Sequence, residues 1–292
     1  MSGVLHQVLS GLATGSIYAS LALALVMIYK TTHHVNFAQG EMATFSTFIA
    51  WSLIEAGFSY WVAFLLAVAV SFVIGLAIQA LLMRRLANAH VLSAVGVFIG
   101  LLLIFNSISG WIFGYTVKAF PSPFESGNEK PVLGGYLSAH ELGASLVTLA
   151  VLLAVYAFFR FTTLGLAMRA VAFNPQSSRL VGIRVDRMLA LGWGLAAALG
   201  AIAGIMIAPI VFLDPNMMAG ILLYAFAGAL LGGIDNAAGA VAGGFAVGVI
   251  EALGGAYVVG TELKLTIALL SIVAVLIFKP NGVFGRHVVS RV

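Results

Sequence analysis

The sequence predicts an all-α polytopic membrane protein with about eight or nine transmembrane helices. Three observations carry that prediction. Of the 292 residues, 62% are hydrophobic and only 8% charged, where a soluble domain runs nearer to about 25% charged. Apolar runs recur at the roughly 20 residues a helix needs to cross a bilayer at 1.5 Å per residue. The basic residues gather in alternate connections between those runs.

In order, the runs lie near 5–29, 37–56, 60–83, 91–113, 142–160, 188–211, 217–233, 238–256 and 263–279. The opening "MSGVLHQVLSG" has no basic n-region and no A-x-A-like cleavage site, so the first run reads as a retained span. The seventh and eighth are short and rich in small residues. Between them "GGIDNAAGAVAGG" reads either as a tight turn or as a re-entrant break, which leaves the count between eight and nine. Residues 1–292 read as a single transmembrane domain, with an external loop at 114–141 and a cytoplasmic loop at 161–187. One set of connections holds Lys30, Arg84, Arg85, Arg160, Arg169, Arg179, Arg184, Arg187, Lys279, Arg286 and Arg291, eleven of the fourteen basic residues. The other set holds Lys118, Lys130 and Lys264. The positive-inside rule puts the first set in the cytoplasm and, with nine spans, the N-terminus outside.

Several chemistries are excluded. No cysteine exists to form a disulfide or a thiolate site. No Gly-Lys-Ser/Thr exists, so the chain carries no P-loop of its own. His6, His33, His34, His90, His140 and His287 are scattered over loops and ends without an H-x-x-x-H pair, and they read as interfacial residues. No catalytic or metal-ligating residue is predicted. Ion-coupled carriers mark their paths with intramembrane charge. Here Glu251 is the one candidate deep in a span, read as a carboxylate snorkelling toward the external border, with Glu41 and Glu55 near span ends. Glycines four apart are common: Gly11/Gly15, Gly96/Gly100, Gly110/Gly114, Gly200/Gly204, Gly228/Gly232, Gly239/Gly243 and Gly244/Gly248. Together they indicate a tightly packed bundle.

Two stretches carry more information. In "HHVNFAQGEMATFSTFIAW", Asn36, Gln39, Gly40, Ala43, Thr44, Ser46, Thr47 and Ala50 share one arc of a helical wheel, with Phe37, Met42, Phe45, Phe48 and Ile49 opposite. Asn36 reads as an N-cap with Gln39 at N3, at the cytoplasmic start of the second span, and Glu41 sits near the positive end of that helix. The same small, polar arc, Asn36, Gln39, Gly40 and Thr47 above all, suits the lining of a translocation path. In "MRAVAFNPQSSRLVGIRVDR", Asn174 then Pro175 reads as N-cap then N1, and Gly182 falls where a C′ glycine belongs. That predicts a short helix over about 175–181, too short to cross a membrane.

At these residues the chain resembles the shorter, H-type permease of branched-chain amino acid ATP-binding-cassette importers. "NFAQGE", "MRAVAFNPQSSRLVGI", "ALLGGIDNAAGAVAGG" and "FKPNGVFG" are similar to four of that family's motifs, in the same order, and the resemblance covers essentially the whole chain. It implies a helical permease bundle in a bacterial inner membrane, paired with a second, homologous permease. Two cytoplasmic ATP-binding subunits would supply the energy, and a periplasmic binding protein would deliver leucine, isoleucine or valine. No cofactor would be bound by this chain, since ATP is used by its partners, and no nucleic acid is implied. Arg169, Ala172, Asn174, Pro175 and Gly182 would form the contact that couples ATPase motion to the pathway. The chain departs from the commoner pattern at Asp235-Asn236, where smaller residues are expected. The competing readings are a sister permease for urea or short amides and, from another class, an ion-coupled secondary amino acid carrier.

Overall fold

The computed structural model describes residues 2–32, 34–86, 90–124, 136–258, 260 and 263–285. His33, Lys130, Arg286, His287 and Arg291, used above for charge and histidine placement, lie outside the described residues, as does much of the loop at 114–141. The described chain is helical apart from turns and one isolated bridge between Lys118 and Leu213. Its helices are α1 Ser2–Thr32, α2 Gln39–Glu55, α3 Tyr60–Ile78, α4 Arg84–Leu86, α5 Val91–Phe113, α6 Ala139–Phe161, α7 Thr163–Phe173, α8 Pro175–Leu180, α9 Val185–Val211, α10 Met218–Gly232, α11 Ala237–Tyr257 and α12 Lys264–Phe278. A π-helical stretch, Gln79–Met83, joins α3 to α4 in one 27-residue rod.

Each run expected to be a span is a helix. Six of them, at Gly3–Thr32, Tyr60–Leu86, Leu92–Phe113, Ala139–Phe161, Val185–Val211 and Ala237–Tyr257, are long and apolar enough to cross a membrane. The other three, α2, α10 and α12, have 17, 15 and 15 residues. At 1.5 Å per residue they reach roughly 22–26 Å, short of a hydrocarbon core of about 30 Å.

By packing, the chain divides into two compact units, residues 1–26, 122–146 and 219–292, and residues 27–121 and 147–218. In the first unit the four-residue glycine spacing sets how closely helices meet. A Cβ built on Gly11 would lie 2.8 Å from the Gly248 carbonyl oxygen, and one on Gly228 would lie 2.7 Å from Gly244 Cα. Gly232, Gly239, Gly243, Gly244 and Gly248 meet main-chain atoms of the facing helix more closely still. The stretch between α10 and α11 is a tight turn. Gly233 takes φ 106°, and the Asn236 side chain caps α11 by accepting from the Gly239 N–H at 3.1 Å. Asn236 Nδ2 also donates to the Phe284 carbonyl at 3.0 Å. That gives the departure at Asp235-Asn236 a local role: Asn236 ties "FKPNGVFG" to the hairpin. The same segment hydrogen-bonds back to α10, Val283 N–H to Leu231 O at 2.8 Å.

In the second unit α3 and α9 run antiparallel. A Cβ on Gly75 would lie 2.5 Å from the Trp193 carbonyl oxygen, and Arg84 pairs with Asp186 at 3.5 Å. α2 is enclosed: its small, polar side meets α3 and α9, while Phe45 and Phe48 meet Phe105 and Phe113 of α5 at 5.6 and 4.7 Å between ring centroids. A helix covered on both sides need not be amphipathic. α7 was not foreseen in the loop expected at 161–187. It starts where Thr162 Oγ1 accepts from the Gly165 N–H at 2.9 Å, and it buries Gly165, Met168 and Val171.

Candidate functional site

The arc on α2 is buried, and its polar atoms have definite partners. Asn36, Gln39, Thr44 and Thr47 are fully inaccessible. Gln39 Nε2 donates to the Ala196 carbonyl on α9 at 2.8 Å. Ser46 and Ser71 Oγ lie 2.9 Å apart, and Ser71 donates on to the Ala197 carbonyl at 2.9 Å. Thr47 Oγ1 returns to its own helix, donating to the Ala43 carbonyl at 2.9 Å. The facing positions on α9 are Gly200 and Gly204. A Cβ there would come within 2.6 Å of Gln39 Nε2 and 2.5 Å of Thr47 Oγ1. Gly40 is buried in the same first turn.

The depth of this seam differs from the sequence expectation. Ala196 lies eleven residues along α9 from Val185, roughly 16 Å at helical rise. The start of α2 is therefore beside the middle of α9, not at a membrane border, and the non-helical residues 34–38 lie at that depth. Irregular backbone so deep in a membrane bundle is tolerated where protein encloses it or where it lines a cavity. The helix also begins later than expected. Asn36 Oδ1 accepts from the Ala38 N–H at 3.0 Å and Asn36 Nδ2 faces Gln39 Oε1 at 3.4 Å, so Asn36 closes the turn before α2 instead of capping its third residue.

Glu41, in the first turn of α2, is likewise buried. Asn106 of α5 donates to Glu41 Oε2 at 3.2 Å, and the same amide nitrogen reaches Pro215 O and Asn216 Oδ1 at 3.1 and 2.9 Å. Ser71 and Asn106 were missed in the sequence. Ser71 is a lone polar residue inside an apolar run and Asn106 opens a short polar patch with Ser107 and Ser109 inside another, and that was the signal available.

The second group of candidates comes together around Asn174. Its Oδ1 accepts from the Ser177 N–H at 2.9 Å, and Pro175 is the first residue of α8. At the other end Gly182, at φ 84°, closes a Schellman motif: its N–H donates to Arg179 O at 3.1 Å and the Ile183 N–H to Ser178 O at 3.0 Å. Asn174 also ends α7, donating its N–H to Ala170 O at 3.0 Å. Arg169, Asn174, Pro175 and Gly182 are exposed and Ala172 is half-buried. Around them Phe173, Leu180 and Val181 are apolar side chains left 87%, 89% and 76% exposed.

In the first unit, Glu251 corrects the snorkelling expectation. It is buried, accepts from Tyr18 Oη at 2.8 Å and pairs with Lys264 Nζ at 3.6 Å. Tyr18 stacks on Tyr224 at 5.1 Å. Close glycine contacts between α1 and α11 bring Tyr18 within reach, so the carboxylate is partnered in place and has no need of the border. His140, at the start of α6, is buried as well, 2.9 Å from Ser122 Oγ. Among the described residues no group of three or more His, Cys, Asp or Glu converges to hold a metal.

A protein family described as "branched-chain amino acid transport system / permease component" matches residues 7–276. The chain is 30% identical over 315 residues to the high-affinity branched-chain amino acid transport system permease protein LivH of Salmonella typhimurium, covering 99% of this chain and 97% of that protein. It is 29% identical over 303 residues to the corresponding permease BraD of Pseudomonas aeruginosa, covering 99% and 98%. A probable LivH of Methanocaldococcus jannaschii is 27% identical over 283 residues, covering 91% and 87%.

Proposed function

The chain belongs to the family of permease components of branched-chain amino acid transport systems, and on that premise we propose that it is the membrane subunit of an ATP-driven importer for these amino acids. Its work is passage, not chemistry. It forms the pathway with a second, homologous permease in a bacterial inner membrane. Two cytoplasmic ATP-binding subunits drive it, and a periplasmic binding protein supplies the substrate.

The observation that carries this reading is α8: six residues, capped at both ends, flanked by exposed apolar side chains, and joined to α7 through one shared residue. A helix too short to span and too well capped to be a mere connector is suited to being gripped. On this reading Arg169, Ala172, Asn174, Pro175 and Gly182 form the coupling contact on the cytoplasmic side. The mid-depth start of α2 supports a second element of the same reading. Asn36, Gln39, Gly40 and Thr47 line or gate the path where interrupted helices place polar groups in other transporters. Their partners on α9 make the seam closed in this conformation.

The test is Gly182→Pro. Proline holds φ near −65°, against the 84° that Gly182 adopts, so the Schellman turn is lost while the spans are untouched. The expected result is a complex that assembles with its ATP-binding subunits but accumulates no leucine. Uptake at the unmodified rate would remove the coupling role.

A further inference from the structure

The second unit contains a cavity of about 460 Å³ that shares Gly182 with the proposed coupling contact and is otherwise made of residues outside it. It is lined by Arg84, Arg179, Arg184 and Arg187, with Asp186 and the turn 182–183 between them. Four guanidinium groups against one carboxylate leave a formal charge of 4 − 1 = +3. Asp186 is shared: Arg84 lies 3.5 Å from one of its oxygens and Arg179 4.0 Å from the other, with all three side chains more than half exposed. Exposed pairs of this length hold their partners loosely. Arg184 and Arg187 form no ion pair among the described residues. The cavity thus has surplus guanidinium donors, a group whose planar fork suits phosphate oxygens.

Its position selects among anions. Arg84 lies three residues after Leu81 and two after Leu82, whose side chains are exposed. Arg184 and Arg187 immediately precede the long apolar run of α9. The arginines therefore stand where the apolar surface of the spans ends, at the level of lipid headgroups, and basic pockets between spanning helices at that level bind anionic headgroups.

We infer that this cavity is a binding site for the phosphate of an anionic phospholipid, held by Arg84, Arg184 and Arg187 with Arg179 at its margin. Asp186 orients Arg84 and Arg179 and also repels the headgroup, so it limits the affinity. This inference does not depend on which solute the protein carries.

The full chain, purified from membranes with the subunits that accompany it, is exchanged into nanodiscs of phosphatidylcholine containing a minor fraction of phosphatidylglycerol. Bound phosphatidylglycerol is counted by native mass spectrometry. Arg84→Gln and Arg187→Gln should each weaken its retention roughly fivefold, with phosphatidylcholine unaffected, and excess inorganic phosphate should fail to displace it. Asp186→Asn should strengthen retention, an effect opposite to that of a damaged fold. It carries the test if an arginine variant does not fold. Three results overturn the proposal: retention unchanged in these variants, displacement by inorganic phosphate, which would mean a free-anion site, or loss of the ATP-binding subunits with lipid retention unchanged, which would mean a protein contact.

Discussion

One sequence pattern, glycines four apart, has opposite consequences at two places, and alanine substitutions measure the difference. At Gly228 an added Cβ would lie 2.7 Å from Gly244 Cα, 2.8 Å from Gly244 N and 3.1 Å from Gly243 C. All three are main-chain atoms of α11, and ordinary contact begins near 3.4 Å, so α10 and α11 must separate by roughly 0.7 Å to admit it. Overpacking costs about 1–3 kcal/mol, and the upper end applies where a helix backbone is the obstacle. Alanine returns about 1 kcal/mol in helix propensity. Gly228→Ala should therefore destabilise by about 2 kcal/mol. At Gly96, on the exposed side of α5, nothing lies within 4 Å of the same atom, so only the gain of about 1 kcal/mol remains. Thermal unfolding of the detergent-purified chain, followed by the fluorescence of its four tryptophans, reads both. At about 2–4 °C per kcal/mol, Gly228→Ala should melt roughly 4–8 °C lower and Gly96→Ala a few degrees higher. Shifts of the same sign at both positions would refute the claim that helix contact, and not the spacing itself, decides what these glycines do.

Asn174→Ala removes the acceptor for the Ser177 N–H and should cost about 1 kcal/mol in the local cap; leucine uptake in membrane vesicles should fall several-fold, whereas Asn174→Asp, which keeps the acceptor, should retain it. Glu251→Ala leaves Tyr18 Oη and Lys264 without their common partner and should destabilise by about 3 kcal/mol, with Tyr18→Phe costing about 1 kcal/mol; thermal melts of both and of the double variant should show clear coupling, and strict additivity would remove the network. Ser71→Ala leaves the buried Ala197 carbonyl and Ser46 hydroxyl without their bridge and should cost about 1–2 kcal/mol, seen as a lower melting temperature in the same assay.

Local signals in the sequence were legible wherever a few neighbouring residues determine the geometry. Asn174-Pro175 and Gly182 specify a capped six-residue helix almost by themselves, because the cap, the first-turn proline and the positive φ are all satisfied within nine positions. Span positions were legible because hydrocarbon thickness imposes its length on any crossing helix. Depth and partnership were not. Glu251 looked like a residue bound for the border because Tyr18, its donor, is 233 positions away. The start of α2 looked like a membrane entry because nothing in "NFAQGE" tells that Gln39 meets Ala196 halfway along another helix. α7 went unseen because its packed face consists of Gly165, Met168 and Val171, too few and too varied to announce a helix beside the arginines around them.

The shared residue between α7 and α8 has a mechanical consequence. Asn174 closes one helix with its main chain and opens the next with its side chain, so the elbow has no slack in which a push on α8 could dissipate. α7 in turn seats Met168 against α9, where its Cε lies 3.6 Å from the position a Gly192 Cβ would take. The next turns of α9 carry Ala196, Ala197, Gly200 and Gly204. On the proposed coupling role, torque applied at α8 would be handed, joint by joint, to the rail on which Gln39 and Thr47 rest.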